Sequence, residues 1–291
     1  MYLLLDIGAT NLRIAIASKN KIESKHVMKN PCNKIEIIKF VENFIKKFDK
    51  IEKIGIASVG PLDYKKGIIL NPANLPIKNF KIVEIFEKKF NIDTYLINDC
   101  NAAVLAEKYF GSGKKFQNLV YVTFSTGIGG GAIVDGNLLL GKDGNAVEIG
   151  HIVIDFEKRL KCGCGSYGHW EAYCSGKNIP NFIKNYLGLN LNYSAEQLFN
   201  LAKNKDKKAS GIVEKIGELN AIGIANVINC FDPEFISIGG SIALNNKELI
   251  IKPIKEKVKN YTINRVPQIT VTKLGDEICL FGVLAYLSLH T

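Results

Sequence analysis

Arginine is nearly absent from this chain. Arg13, Arg159 and Arg265 are the only three in 291 residues, so the formal net charge of +10 rests almost wholly on lysine. Arginine does much of the base and phosphate reading at nucleic-acid interfaces, and its scarcity argues against a dedicated nucleic-acid partner. The lysines recur on periodic segments such as KIEIIKFVENFIKKFDK (34–50), as solvated helix faces do. Their field would also draw in an anionic ligand such as a nucleotide. No apolar run approaches the length of a membrane span. The opening MYLLLDIGATN turns acidic too soon for a secretory signal, so a cytoplasmic protein with no membrane partner is expected. Seven cysteines are an odd number and are dispersed, Cys162 and Cys164 apart. A reducing compartment suits them better than a disulfide framework. A Walker A loop, a Rossmann G-x-G-x-x-G and any repeat at a 20–50 residue period are all missing.

At 47% hydrophobic and 23% charged, the composition is that of an ordinary globular chain. The start reads as a hairpin, YLLLDIG–ATN–LRIAIAS, followed by a strand at KIESKHVM and an amphipathic helix over 35–49. Strand 54–60, helix 82–90, strand 94–99 and helix 101–111 come next. A second block opens in the same way: strand 119–125, the turn TGIGGG, strand 132–136. Helix 210–231, strand 235–241, helix 247–260, strand 268–274 and a closing helix over 276–289 complete it. A hairpin followed by alternating helices and strands indicates a mixed α/β sheet. The expected boundary falls in GSGKKFQN (111–118). It gives a smaller lobe, 1–112 plus 275–291, and a larger lobe, 113–274, with the closing helix returning to the first.

Three glycine turns sit at strand ends, where open α/β sheets bind ligands. In DIGATN, Gly8 lets a phosphate approach the backbone N–H groups, Thr10 adds a hydroxyl donor, and Asp6 could orient a hydrated Mg²⁺. STGIGGG (125–131) has four glycines in five residues, more than a hairpin turn needs. SIGGS (237–241) is the third. Each alone could be a bland turn; together they favour a nucleotide.

DIGATN, NDCNAAVLAE, STGIGGG, EIGH, CGCG..GHWEAYCSG and DPEFISIGGS follow one another in the order and spacing of the ROK family (repressors, open reading frames and kinases). The chain resembles that family over essentially its whole length. The resemblance implies the two-lobed actin-like, ribonuclease-H-like ATPase fold, with nucleotide and sugar in the interlobe cleft. It implies ATP with Mg²⁺ as donor, held by Asp6, Gly8, Thr10, Asn11, Thr126, Gly127, Gly239 and Gly240. Kinases of the family phosphorylate a hexose hydroxyl; other members carry a helix-turn-helix and repress transcription. With the first motif reached at Asp6, the kinase branch is expected, and with it a homodimer. The leading expectation is transfer to the 6-hydroxyl of glucose or a close relative. N-acylmannosamine kinase, fructokinase and an idle sugar sensor are the alternatives.

Asp99 lies between a strand end and a helix start, so it suits either an N-cap or a general base. The resemblance makes it the base and Asn98 a sugar ligand. Asn74, Glu148, His151 and Glu171 are the further candidates for reading sugar hydroxyls. Ile77 stands where the family often has an aromatic. Two of the four histidines and two of the seven cysteines fall between His151 and His169. His151, Cys162, Cys164 and His169 supply the four N/S ligands of a tetrahedral zinc, and a filled site would be structural rather than hydrolytic. The other reading is two free thiols in a glycine-rich loop. The family usually has a cysteine at the position of His169, and Cys174 is a rival fourth ligand.

Overall fold

The computed structural model describes every residue except Asn20, Asp49, Ala73 and Thr291. Two compact units emerge. One comprises Met1–Lys114, Leu138–Ala146 and Asp276–Thr291; the other comprises Lys115–Asn137 and Val147–Gly275. The sequence reading assigns 138–146 to the second lobe, and this is corrected by the side chain of Asn145. That amide accepts from the Leu62 N–H and donates to the Leu62 carbonyl, both at 3.1 Å. A single amide thereby ties the segment to the first unit.

The first unit is built on β1 (Tyr2–Ile7), β2 (Asn11–Ser18), β3 (Lys21–Lys29), α1 (Lys34–Ile45) and β4 (Lys53–Ser58). A small hairpin of β5 (Leu62–Asp63) and β6 (Ile68–Ile69) follows, then α2 (Ile82–Phe90), β7 (Asp93–Asn98) and α3 (Asp99–Tyr109). The sheet order is β3-β2-β1-β4-β7, with β1 antiparallel to β2 and parallel to β4. All six residues of β1 are buried, because helices cover both faces. Leu3, Leu5 and Ile7 join Ile37 and Val41 of α1 and Phe86 of α2 in one core. On the other face Gly55 leaves room for Val283 and Leu287 of the closing helix, Ile278–Ser288. α1 starts at its Asn33 cap and stops at Ile45, short of the expected span, whose last residue, Asp49, lies outside the described residues.

The second unit repeats the plan with β8 (Leu119–Phe124), β9 (Ile128–Val134) and β10 (Asn137–Leu138). The helices α4 (Glu171–Cys174), α5 (Ile179–Asn181), α6 (Ala195–Lys203) and α7 (Lys207–Phe231) follow. After them come β11 (Phe235–Gly239), α8 (Ser241–Asn245), α9 (Lys247–Lys257) and β12 (Gln268–Val271); the closing helix is α10. The order β10-β9-β8-β11-β12, with β8 antiparallel to β9 and parallel to β11, matches the first sheet. Trp170, fully buried, lies over Gly223 of α7 and donates its indole N–H to Asn220 Oδ1 at 2.9 Å. Among the described residues no helix is long and apolar enough to cross a membrane.

Candidate active site

In the first unit β7 runs straight into α3. The N-cap is Asn98, not Asp99. Asn98 Oδ1 accepts from the N–H groups of Cys100 (2.9 Å) and Asn101 (3.1 Å). Asp99 is the first helical residue, and its Oδ1 accepts from the Cys100 N–H at 2.9 Å. The cap is thus supplied without Asp99, whose half-buried carboxylate is placed by the strand end. Asn98, expected to hold sugar, has its oxygen committed to the cap, so a sugar would meet its Nδ2.

Asp6 points at a partner the sequence reading missed. It is 3% exposed and its Oδ2 accepts from Arg13 Nη1 at 2.8 Å, directly across the β1–β2 ladder. Burial pushes its carboxyl up, Arg13 opposes that, and Asp276 adds to the rise. The hairpin register, Asp6 facing Arg13, was the signal available. The thiol of Cys279 in α10 donates to the backbone carbonyl of Asp99 at 3.7 Å. Burial holds it well above its ordinary value, with Asp6 and Asp99 adding to that. The turn after β1 is closed by Gly8 N–H to the Asn11 carbonyl (3.0 Å), and buried Asn30 donates to the Gly8 carbonyl (2.6 Å). Thr10 is left exposed at the tip. Asn74 is half-buried in its loop, and Ile77 belongs to the apolar core.

In the second unit the glycines divide into two kinds. Thr126 and Gly127 form the turn between β8 and β9. Gly129, Gly130 and Gly131 do not; they pair with Thr123, Val122 and Tyr121 inside the ladder. The expected strand start at 132 is therefore corrected to Ile128. The reason is packing. A Cβ on Gly130 would come 2.6 Å from Ile149, and one on Gly150 would strike the Ile128 carbonyl. The glycines let the turn that carries Glu148 and His151 lie flat on β9. Gly240 is a backbone requirement of another sort, at φ +85° between β11 and α8. Ser125 Oγ and Ser241 Oγ, 3.3 Å apart, join the two turns that hold Thr126–Gly127 and Gly239–Gly240.

His151, Cys162, Cys164 and His169 converge: their ligand atoms all lie within 4.8 Å of one another. Tetrahedral zinc puts a sulfur and a nitrogen roughly 3.6 Å apart. Cys162 Sγ is 3.7 Å from His151 Nδ1, and Cys164 Sγ is 3.3 Å from His169 Nδ1. The donor set fits. Burial, and then the neighbouring His151, lowers the His169 ring below its usual range, which favours the neutral form a metal needs. Cys174 takes no part, since its buried thiol donates to the Ile216 carbonyl at 3.8 Å. The loop is braced from below by Asp155, which accepts from Tyr173 OH (2.6 Å) and from Arg159 Nε and Nη2 (3.1 Å each).

The other ring nitrogen of His151, Nε2, lies 3.9 Å from Glu148 Oε2. Glu148 keeps 47% of its side chain exposed. Dense surroundings nonetheless raise its carboxyl, Glu171 adding and His151 opposing. Glu171 Oε2 accepts from the Ile128 N–H at 2.9 Å and its Oε1 is 3.9 Å from Cys162 Sγ. Glu171 therefore stitches the Cys–His cluster to β9. Three carboxylate or imidazole groups are thus gathered around a cluster suited to a metal, a face able to donate to and accept from a polyol.

The ROK family model matches residues 2–289. The chain belongs to the ROK family. It is 36% identical over 286 residues to a glucokinase of Pyrobaculum calidifontis, covering 98% of this chain and 94% of the relative. A glucokinase of Aeropyrum pernix is 33% identical over 303 residues, covering 97% and 94%. The solved ROK hexokinase of Thermus thermophilus superposes with a TM-score of 0.87 at 29% identity, covering 99% of each chain. A Streptomyces griseus ROK glucokinase, solved with glucose and AMPPNP, superposes with a TM-score of 0.85 at 24% identity over 100% and 99%, which supports the fold. The duplicated sheet, each copy with a glycine turn after its first strand, is the ROK kinase architecture of two α/β lobes.

Proposed function

We propose that this ROK chain transfers the γ-phosphate of ATP to the 6-hydroxyl of glucose or a closely related hexose, with Asp99 as general base. The observation that carries the reading is the seating of Glu148 and His151 3.9 Å apart beside the Cys–His cluster, in a chain related to glucokinases over nearly its full length. Asn74, Glu148, His151, Glu171 and Asn98 Nδ2 read the sugar hydroxyls. A site built of such groups discriminates strongly against analogues that lack a hydroxyl. The turns holding Gly8, Thr10 and Asn11, and Thr126, Gly127, Gly239 and Gly240, supply N–H and hydroxyl donors to the phosphates of MgATP. Asp6 completes that set beside Arg13.

The sugar O6 attacks the γ-phosphorus as its proton passes to the Asp99 carboxylate. The bond from that phosphorus to the β–γ bridging oxygen breaks, and ADP departs with the electron pair. His151, Cys162, Cys164 and His169 would hold zinc, which when bound supplies folding energy to the loop and leaves no open coordination position. A reducing cytoplasm keeps the seven cysteines out of disulfides, and a homodimer is the assembly expected in solution, readable by light scattering.

A coupled assay over glucose, mannose, fructose, N-acetylglucosamine and N-acetylmannosamine, each with ATP or ADP, tests the reading. Glucose with ATP should show the highest kcat/KM. Preference for N-acetylmannosamine or for ADP would overturn it.

A further inference from the structure

Trp170 is the only tryptophan in the chain, and four neighbours hold it. Its ring lies against Gly223 of α7, where a Cβ would come 2.3 Å from it. Phe124, the last residue of β8, meets the ring edge to face, with centroids 5.6 Å apart and planes at 74°. The backbone N–H of Trp170 donates to the Ile152 carbonyl at 2.9 Å. Its indole N–H donates to Asn220 Oδ1, also at 2.9 Å. The ring contacts bury apolar surface, and that attraction has no direction. The hydrogen bond does have one, so Asn220 alone decides which edge of the indole faces α7.

Asn220 is a costly residue to keep where it stands. It is fully buried midway along α7, in a stretch where Ile216, Leu219, Ala221 and Ile224 are buried too. A buried polar group costs free energy unless it is hydrogen-bonded, and among the described residues the Asn220 Nδ2 has no partner. Leucine at 220 with phenylalanine at 170 would fill similar space without that cost. What the polar pair adds is a fixed indole, and the residues attached to Trp170 belong to the candidate active site. Glu171 comes next in the chain, with its Oε2 on the Ile128 N–H at 2.9 Å. Ile152, which accepts the Trp170 N–H, follows His151. One buried hydrogen bond therefore stands behind both Glu171 and the Glu148–His151 turn.

We propose that Asn220 is a positioning residue for the sugar substrate: through the Trp170 indole it fixes where Glu171 and His151 stand. The proposal rests on the reading of those two residues as sugar ligands. Asn220→Leu removes the acceptor and should raise the glucose KM roughly tenfold. The KM for ATP and kcat should each stay within about threefold. Tm should fall by at least about 2 °C, because the indole N–H is left buried and unpaired. In isotope-labelled protein the single indole N–H resonance should move upfield. The double variant Trp170→Phe/Asn220→Leu leaves no polar group unpaired, and it carries the test if the single variant is too unstable to assay. It should regain thermal stability yet keep the glucose KM raised by about fivefold or more. A glucose KM that returns to the wild-type value in the double variant makes Asn220 merely structural and overturns the proposal. Glu171→Gln separates the two layers. If it raises the glucose KM while Asn220→Leu leaves it unchanged, the proposal falls and the sugar site stands; if it leaves the glucose KM unchanged, both fall.

Discussion

Replacing Asp99 with asparagine separates chemistry from architecture because the helix cap does not depend on it. Asn98 Oδ1 takes the N–H groups of Cys100 and Asn101. Asp99 adds one further contact to the Cys100 N–H and one acid in the first turn of α3. Loss of a favourable first-turn charge costs about 0.3–1 kcal/mol, and an asparagine oxygen still accepts from the same amide. Asp99→Asn should therefore lower Tm by no more than about 3 °C. Loss of a general base costs about 10²–10⁴ in rate, or roughly 2.7–5.4 kcal/mol of barrier. The expected result is kcat down at least 100-fold, with the sugar dissociation constant within a factor of about three and the melting curve nearly unchanged. Asn98→Ala is the counterpart: it removes the cap, costing about 0.5–2 kcal/mol of stability. A coupled ADP-release assay, calorimetric sugar binding and a thermal melt on the same preparations provide the readouts. Near-normal turnover in Asp99→Asn refutes the assignment.

Three further outcomes follow from the second unit. Purified protein should contain one zinc per chain by elemental analysis. Stripping it should lower Tm and raise the sugar KM by at least tenfold while the KM for ATP stays within about threefold. Gly150→Ala drives a Cβ into the Ile128 carbonyl, lifting the Glu148–His151 turn off β9, and should likewise raise the sugar KM, by roughly tenfold. Asp155 gives a pH signature. Burial pushes its carboxyl up, but hydrogen bonds from Arg159 and Tyr173 outweigh that and bring it down to about 2. A carboxyl lowered on folding stabilises the protein above its unfolded value near 4, and that stability is lost as pH falls toward 2. The contribution is about 2 kcal/mol. Urea melts should show wild-type stability declining across that window, and Asp155→Asn should flatten the decline.

The succession of strands and helices along the chain was legible because glycine turns follow β1 and β8 and most strands are apolar runs bounded by polar residues; the order of the strands within each sheet was not. The four cluster residues were legible as a local excess of soft ligands, and their convergence needed only the tight turns that Gly165 (φ +99°) and Gly168 (φ +76°) permit. Less legible was what holds the pieces. Arg13 looks in sequence like one more strand residue, and only the register across the hairpin pairs it with Asp6. Cys279 reaches the Asp99 carbonyl from 180 residues away, a separation no local pattern encodes. Asp99 and Asn98 could each cap a helix, and propensity alone does not choose between neighbours. The glycines of STGIGGG looked like a phosphate turn, but three of them lie in the β8–β9 ladder, and Gly130 makes room there for Ile149. Helix α6 had a readable signal, the reciprocal Ser194–Gln197 capping box, which the longer periodic segments overshadowed.

The most direct test of the whole account is phosphorus NMR of a reaction containing the protein, glucose and MgATP, followed to completion. The account predicts equal amounts of ADP and glucose 6-phosphate, with little inorganic phosphate and no conversion when glucose is omitted. Inorganic phosphate released at the same rate with or without glucose, or a product phosphorylated at another oxygen, would contradict it.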